Sequence, residues 1–337
     1  MGGNRQIVLV RRPEGMVDES CFDEVDGDIR SPGRDEILVR TLYLTIDPAI
    51  RGWLNEKGSG YLPGVSIGEP VRGAGVGEIV ESNAEGYPVG GLVTCMTGWQ
   101  EYALGTSDMS RMFEFATLLP TDVDPVAAAT VLSNPGWTAY AGVTRVLAPT
   151  GDDHVLVTAA SSLVGSIAGQ LAKRRGSQVV GTAGSPAKCD WVVEELGFDA
   201  CIDYRAENLD QRLKALFPHG IDAVFDNVGG ATLDTVLRRM ATHGRILLCG
   251  SVGRDNATEP YRLANYDRLM SRRVTMSGFN FVDHLDVIGE ATAVLRAGLD
   301  DGSIRYRTKS LHGLENAPAG LVGLYNDPTP GKTVVVL

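Results

Sequence analysis

Between about residue 125 and residue 300 the chain alternates short apolar strands with amphipathic helical stretches, and that alternation leaves few folds open to it. The candidate strands are Val155–Thr158, Gln178–Thr182, Ala200–Ile202, Asp222–Asp226, Arg245–Cys249 and Val274–Gly278. Parallel neighbours need a crossover, and a helix supplies it, so six such strands predict a doubly wound parallel sheet of the α/β class. Before residue 125 the pattern differs. Short β-runs at Gln6–Val10, Glu36–Leu42, Gly73–Glu81, Gly91–Met96 and Trp99–Ala103 are broken by Gly and Pro. That spacing predicts a partly closed antiparallel β-barrel. After residue 300 come a helix, Ala317–Leu324, and a terminal strand, Lys332–Leu337. The strand is expected to return to the first domain, giving 1–125 completed by 301–337, with 126–300 as the second domain. A length of 337 residues suits two cores.

Bulk properties remove several function classes. The net charge of −11 argues against a nucleic-acid or anionic-membrane partner. No apolar run reaches the ~18 residues of a membrane span. Met1-Gly2-Gly3-Asn4-Arg5 leads straight into a strand-like run with no apolar leader behind it, so the expectation is a cytoplasmic protein. The five cysteines (21, 95, 189, 201, 249) form no CxxC pair and read as reduced, mostly buried side chains. No histidine stands in an HxxxH or HExxH pair, so no metal site is expected. The 41 glycines exceed the usual ~7% share, which fits many tight strand–helix turns.

The strongest local signal is the run from Val155 to Ser166: a β-branched strand, a turn of small residues, then a helix. Leu163, Val164, Ile167, Ala168, Leu171 and Ala172 fall on one helix face. A helix beginning there points unpaired N–H groups and its positive dipole end at what lies above the strand, and a pyrophosphate fits that position. The glycine fingerprint is imperfect, since G-x-G-x-x-G is replaced by Ala160, Ser162 and Gly165. Serine at the middle position adds bulk but brings a hydroxyl that can donate to phosphate. Taken alone, this turn is equally compatible with a purely structural strand–helix connection.

The second strand says more. Sites that prefer NAD(H) place an acid ~20 residues after the glycines to bond the ribose 2′-hydroxyl. From Val179 through Gly184, Ser185 and Lys188 no acid stands at that position. A missing acid removes repulsion toward a 2′-phosphate, and Lys188 supplies a counter-charge. The competing reading of Lys188 is a solvated surface lysine.

Strings along the whole chain carry a resemblance. They include Arg12-Pro-Glu-Gly15, Leu42 to Pro48 with Arg51-Gly52, Gly68 to Gly77, Thr97 to Tyr102, Pro135 to Tyr140, Phe225 to Gly230, Gly244-Arg-Ile, Cys249-Gly250 and Gly331-Lys332. The chain resembles the zinc-independent, alkene-reductase branch of the medium-chain dehydrogenases/reductases, with its leukotriene B4 dehydrogenase/prostaglandin reductase and curcumin reductase members. The resemblance implies a GroES-like barrel domain beside a Rossmann NADP(H)-binding domain. It implies NADPH-dependent reduction of a C=C bond conjugated to a carbonyl, a small α,β-unsaturated carbonyl as substrate, and a homodimer. It also implies that Lys188 and Tyr204 hold the 2′-phosphate and adenine side, with Gly184 and Ser185 nearby. Asn227, Cys249 and Gly250 would line the nucleotide crevice, Thr138 and Phe279 would approach the nicotinamide, and the backbone of Ser162, Leu163, Val164 and Gly165 would carry the pyrophosphate.

The chain also departs from that pattern. Asp47-Pro48-Ala49-Ile50-Arg51 stands where relatives usually carry Asp-Pro-Tyr-Met-Arg, which removes a pocket tyrosine at Ala49 and keeps Arg51. After Cys249-Gly250, Asp255-Asn256 replaces Tyr-Asn. Reducing an activated C=C bond requires stabilising an enolate, which a phenol does and an ionised carboxylate opposes. Asp255 therefore serves only if protonated or as a base on another substrate, and the substitute donor is Tyr266, eleven residues on, or else water or a substrate hydroxyl. These departures leave two further readings: a tailoring enzyme on the same fold catalysing a non-redox step such as cyclisation or isomerisation, and an NADP(H)-binding protein without turnover.

Overall fold

The computed structural model describes residues 3–59, 62–111, 114–257 and 259–337. Two compact units divide it. One takes in the chain through Thr130 together with Thr308–Asp327 and Lys332–Leu337, and the other holds Val131–Arg307 and Pro328–Gly331.

The first unit is built from β1 (Asn4–Leu9), β2 (Phe22–Gly27), β3 (Glu36–Thr45), β4 (Gly75–Ser82), β5 (Leu92–Cys95), β6 (Tyr102–Thr106) and β7 (Thr117–Leu118). Strand β1 pairs antiparallel with β2, a strand the alternation rule did not predict. Its sequence, Phe22-Asp-Glu-Val-Asp-Gly27, is exposed over most of its length and has no apolar face of its own. Ladder bonds to β1 make it a strand, a tertiary cause that its composition does not carry. Strand β3 is central, pairing antiparallel with both β4 and β6. Its apolar residues and those of β1 enclose a core with Trp99, Leu44, Ile46, Ile50 and Leu54 at its centre.

The second unit contains β8 (His154–Val157), β9 (Gln178–Ala183), β10 (Ala200–Asp203), β11 (Ile221–Asp226), β12 (Met240–Leu248) and β13 (Thr275–Gly278). Their order in the sheet is β10-β9-β8-β11-β12-β13, and every pairing is parallel. This is the doubly wound arrangement expected, with the strand order reversing at β8. Ligands bind such sheets at the carboxyl strand ends next to the reversal. The buried Leu156, Val180, Ile202, Val224 and Ile246 come from five neighbouring strands and form one continuous core layer.

The chain then returns to the first unit as β14 (Thr308–His312) and β15 (Lys332–Val336). Strand β15 pairs antiparallel with β3 and parallel with β14. Strand β14, in which the exposed Ser310 stands between the half-buried Lys309 and Leu311, is one that the sequence pattern does not predict. No helix among the described residues is long and apolar enough to cross a membrane.

Candidate functional site

The carboxyl ends of β8, β9, β11 and β12 gather most of the residues that the sequence singles out for a nucleotide. Strand β8 is followed directly by Thr158, whose side chain is wholly buried. Ala159 follows with φ of 50°, a left-handed turn, and the next amides stay within it, Ala160 donating to the Thr182 carbonyl and Ser162 to the Ala159 carbonyl at 2.9 Å each. Ser162 caps the helix Leu163–Arg174, its Oγ accepting from the Gly165 amide at 3.1 Å. That bond uses the oxygen as acceptor and engages the Gly165 amide, so what a ligand could take here is the hydroxyl proton and the Leu163 and Val164 amides. Gly165 is fixed by sterics: a Cβ there would lie 2.4 Å from the Ala159 carbonyl oxygen. The turn therefore closes tightly without a glycine at position 162, and a helix start of this kind is compatible with an anion.

Beside it, Asp226 at the end of β11 is completely buried and holds the neighbouring turn. Thr158 donates its hydroxyl to Asp226 Oδ1 at 2.7 Å, and the amides of Val228 and Gly229 donate to the same carboxylate at 3.2 and 3.0 Å. The Asn227 amide donates to Thr158 Oγ1 at 2.8 Å, and the Asn227 side chain donates to the Thr158 carbonyl at 2.8 Å. Burial raises the Asp226 carboxyl above its ordinary value, against the lowering effect of its three donors. The backbone carbonyl of Asp226 accepts from Cys249 and Gly250, so both crevice residues are tied to one strand end. Burial, with the Asp226 charge beside it, pushes the Cys249 thiol up to about 12 and leaves it a neutral, unreactive wall.

Just past β9 stands Gly184, where a Cβ would meet the Tyr204 hydroxyl at 2.8 Å and Arg205 Nε at 3.2 Å. Tyr204 is exposed, and the Arg205 guanidinium lies 6.0 Å from its ring centroid. Ser185 caps the helix Pro186–Glu194 by accepting from the Lys188 amide at 3.3 Å, and its own hydroxyl donates to the Pro328 carbonyl at 2.7 Å. Its side chain thus holds backbone rather than standing open to a phosphate. Lys188 lies in the first turn of that helix and is partly exposed. Arg205 is the residue missed by spacing arguments: no rule marks a cation one position after Tyr204, and only the return of β10 beside β9 brings it next to Gly184. A phosphorylated dinucleotide fits this donor set, with helix amides for the pyrophosphate, two cations at the β9–β10 end, and a flat phenol face for a base.

The remaining candidates sit as follows. Thr138 lies in the helix Asn134–Ala141 and donates to Asn134 Oδ1 at 2.9 Å. Phe279, just past β13, stacks on His284 with ring centroids 5.2 Å apart. Asp255 is half-buried, and Tyr266 is 67% exposed at the start of the helix Asp267–Ser271. Their segment is anchored by Asp234, which accepts from the Asn265 amide at 2.8 Å and from the Tyr261 hydroxyl at 3.3 Å. Tyr261 is therefore committed, and Tyr266 is the more accessible phenol of the stretch.

In the first unit, Ala49 opens the helix Ala49–Trp53 and is exposed, whereas Arg51 is buried at 3% exposure. Arg51 donates to Asn55 Oδ1 at 2.8 Å and to the Gly15 carbonyl at 2.9 Å, so its guanidinium braces two loops. The entry to this helix is pinned by Lys332, whose ammonium is buried against Asp47 and the Ile46 carbonyl. Among the described residues no group of three His, Cys, Asp or Glu side chains is placed to hold a metal ion.

Comparison with known proteins agrees with the fold. Residues 5–113 match a family model described as the N-terminal domain of oxidoreductase, and 164–296 match one described as zinc-binding dehydrogenase. The chain is 35% identical to an NADP(+)-dependent 2-alkenal reductase of Nicotiana tabacum, over 99% of this chain and 97% of that protein. It is 36% identical to an NADPH-dependent curcumin reductase of Escherichia coli K12, over 98% and 96%. The solved structure of CurA from Vibrio vulnificus in complex with NADPH superposes with a TM-score of 0.91 at 36% identity, covering 98% of each chain.

Proposed function

Because the chain belongs to the zinc-independent alkene-reductase branch of the medium-chain dehydrogenases/reductases, we propose that it is an NADPH-dependent reductase of carbon–carbon double bonds conjugated to a carbonyl. The observation that carries the cofactor preference is the end of β9 and β10. It presents Tyr204 and Arg205 around Gly184, with Lys188 in the first turn of the helix that follows and no carboxylate at the position where a ribose 2′-hydroxyl would be bonded. When bound, NADPH supplies a hydride to the β-carbon of the unsaturated carbonyl, and the electron pair moves to the carbonyl oxygen.

The chain's own residues do the rest. The amides at the start of the helix Leu163–Arg174, with the Ser162 hydroxyl, hold the pyrophosphate. Lys188 and Arg205 neutralise the 2′-phosphate, and Tyr204 offers its ring to the adenine side. Thr158 and Asp226 position Asn227, Cys249 and Gly250 along the crevice. Tyr266 is the phenol assigned to the enolate oxygen, and Asp255 on the same segment sets the charge near it. Ala49, lacking the bulk of a tyrosine, leaves room for a larger substrate, and Arg51 shapes that region by bracing its loops.

The assembly assigned to this enzyme is a homodimer. Its support is β13, the last strand of the sheet, whose outer edge carries no partner strand among the described residues. Unpaired edges favour pairing with a second copy. Sedimentation at several concentrations checks it: a monomer throughout would remove this assignment. The enzymatic reading is tested by titrating NADPH and NADH and then adding a 2-alkenal. Selective NADPH binding followed by its oxidation supports the reading, and NADPH binding with no oxidation by any enal or enone contradicts it.

A further inference from the structure

Two cysteines outside the assigned machinery face one another beside Lys188. Cys201 lies in β10, in register with Gly181 of β9. Paired residues of a parallel ladder direct their side chains to the same face of the sheet. The Gly181 face is covered by the helix Pro186–Glu194, because a Cβ on Gly181 would meet Val192 Cγ1 at 3.2 Å. Cys189 stands three residues before Val192, on the same helix face and one turn nearer the helix start. Helix and strand thus bring the two thiols together, and their hydrogen bond favours ionisation of Cys189 while disfavouring that of Cys201. Burial, and after it Asp203, Glu207 and Asp190, oppose the Cys189 thiolate, but the bond from Cys201 outweighs them.

Both thiols are partly exposed, whereas Cys21 and Cys95 are buried. Among the described residues no third His, Cys, Asp or Glu completes a metal-binding group here, so the pair is a dithiol rather than a metal site. We propose that Cys189 and Cys201 are a redox modification site that hydrogen peroxide closes to a disulfide, and that closure weakens NADPH binding through the adjoining Lys188. The second half rests on Lys188 as the 2′-phosphate partner. In the first step the Cys189 thiolate attacks one peroxide oxygen, the O–O bond breaks, and the released hydroxide takes a proton to leave as water. The Cys201 sulfur then displaces hydroxide from the sulfenic sulfur and gives up its own proton, forming the S–S bond and a second water. Two thiols are oxidised and one peroxide is reduced to two waters. A disulfide holds its Cα atoms within a narrow range, so closure fixes the helix turn that carries Lys188 against β10.

The test treats the full chain with hydrogen peroxide, alkylates and digests it without reductant, and reads the cross-linked peptide by mass spectrometry. NADPH and NADH are titrated before treatment, after it, and after dithiothreitol. The expected result is a Cys189–Cys201 peptide with loss of two of the five thiols. NADPH affinity falls about tenfold, as for the loss of one charge-assisted contact, returns with reductant, and NADH affinity stays constant. Cys201→Ala keeps its untreated affinity for NADPH and loses the response; Cys189→Ser does the same if the first variant folds poorly. Absence of the cross-linked peptide, unchanged NADPH affinity once it forms, or full sensitivity in both variants overturns the proposal. If the untreated protein shows no preference for NADPH, the reading of Lys188 falls, and the cross-linked peptide still decides the dithiol.

Discussion

Thr158 donates its hydroxyl to Asp226 at 2.7 Å, and both side chains are fully withdrawn from solvent. One oxygen of the threonine therefore makes two bonds to the end of β11, since it also accepts the Asn227 amide. The pair couples β8, which opens the pyrophosphate turn, to β11, which opens the crevice turn.

Thr158→Val keeps the shape and removes both bonds. It leaves a buried carboxylate short of one donor and the Asn227 amide without its acceptor, at roughly 2–3 kcal/mol in stability. Urea unfolding measures that loss, and NADPH affinity is expected to fall about tenfold in the same variant. A variant as stable as the parent would show that the network is dispensable.

Lys188→Ala and Arg205→Ala are each expected to weaken NADPH about tenfold to a hundredfold, the range of one charged hydrogen bond, with little change for NADH. Fluorescence titration with both nucleotides reads the difference. Equal losses for the two nucleotides would mean these cations act on something other than the 2′-phosphate.

The parts of the site that a reader of the sequence could reach are those fixed by local periodicity. Strand β8, Ser162, Gly165 and the acid-free end of β9 all lie within one strand–turn–helix pattern and its successor. Arg205, Thr158 and the full role of Asp226 were not reachable, because each depends on strands far apart in sequence becoming neighbours. Ser185 shows the same limit in reverse: its place in the turn was legible, while its bond to the Pro328 carbonyl comes from 143 residues away. Strands β2 and β14 escaped because their residues are largely polar and only their partners make them strands.

Tyr266→Phe is expected to lower kcat by roughly a hundredfold, the lower range for loss of a proton donor, with NADPH affinity unchanged. Steady-state kinetics with a saturating enal separates the two. An unchanged kcat would assign protonation to water or to the substrate.

Asp210 and Arg239 predict a pH signature. The Arg239 guanidinium, donating at 2.9 Å, holds the Asp210 carboxyl below its ordinary value. A lowered folded-state value means that the stabilisation is complete above the unfolded-state value near ~3.9 and is lost as pH falls through the folded one. Asp210→Asn should therefore cost up to about 1 kcal/mol at neutral pH, discounted for partial exposure, and nothing in strong acid. Urea melts at neutral pH and below pH ~3 check this: the parent and variant should converge in acid, and a constant gap would rule out the ion pair as its cause.

The most direct test of the whole account follows NADPH absorbance and product together in one reaction with a 2-alkenal. The account predicts that one saturated carbonyl forms for each NADPH consumed, and that NADH substitutes poorly. Conversion of a substrate with no NADPH consumed, or tight NADPH binding with no enal or enone ever reduced, would contradict it.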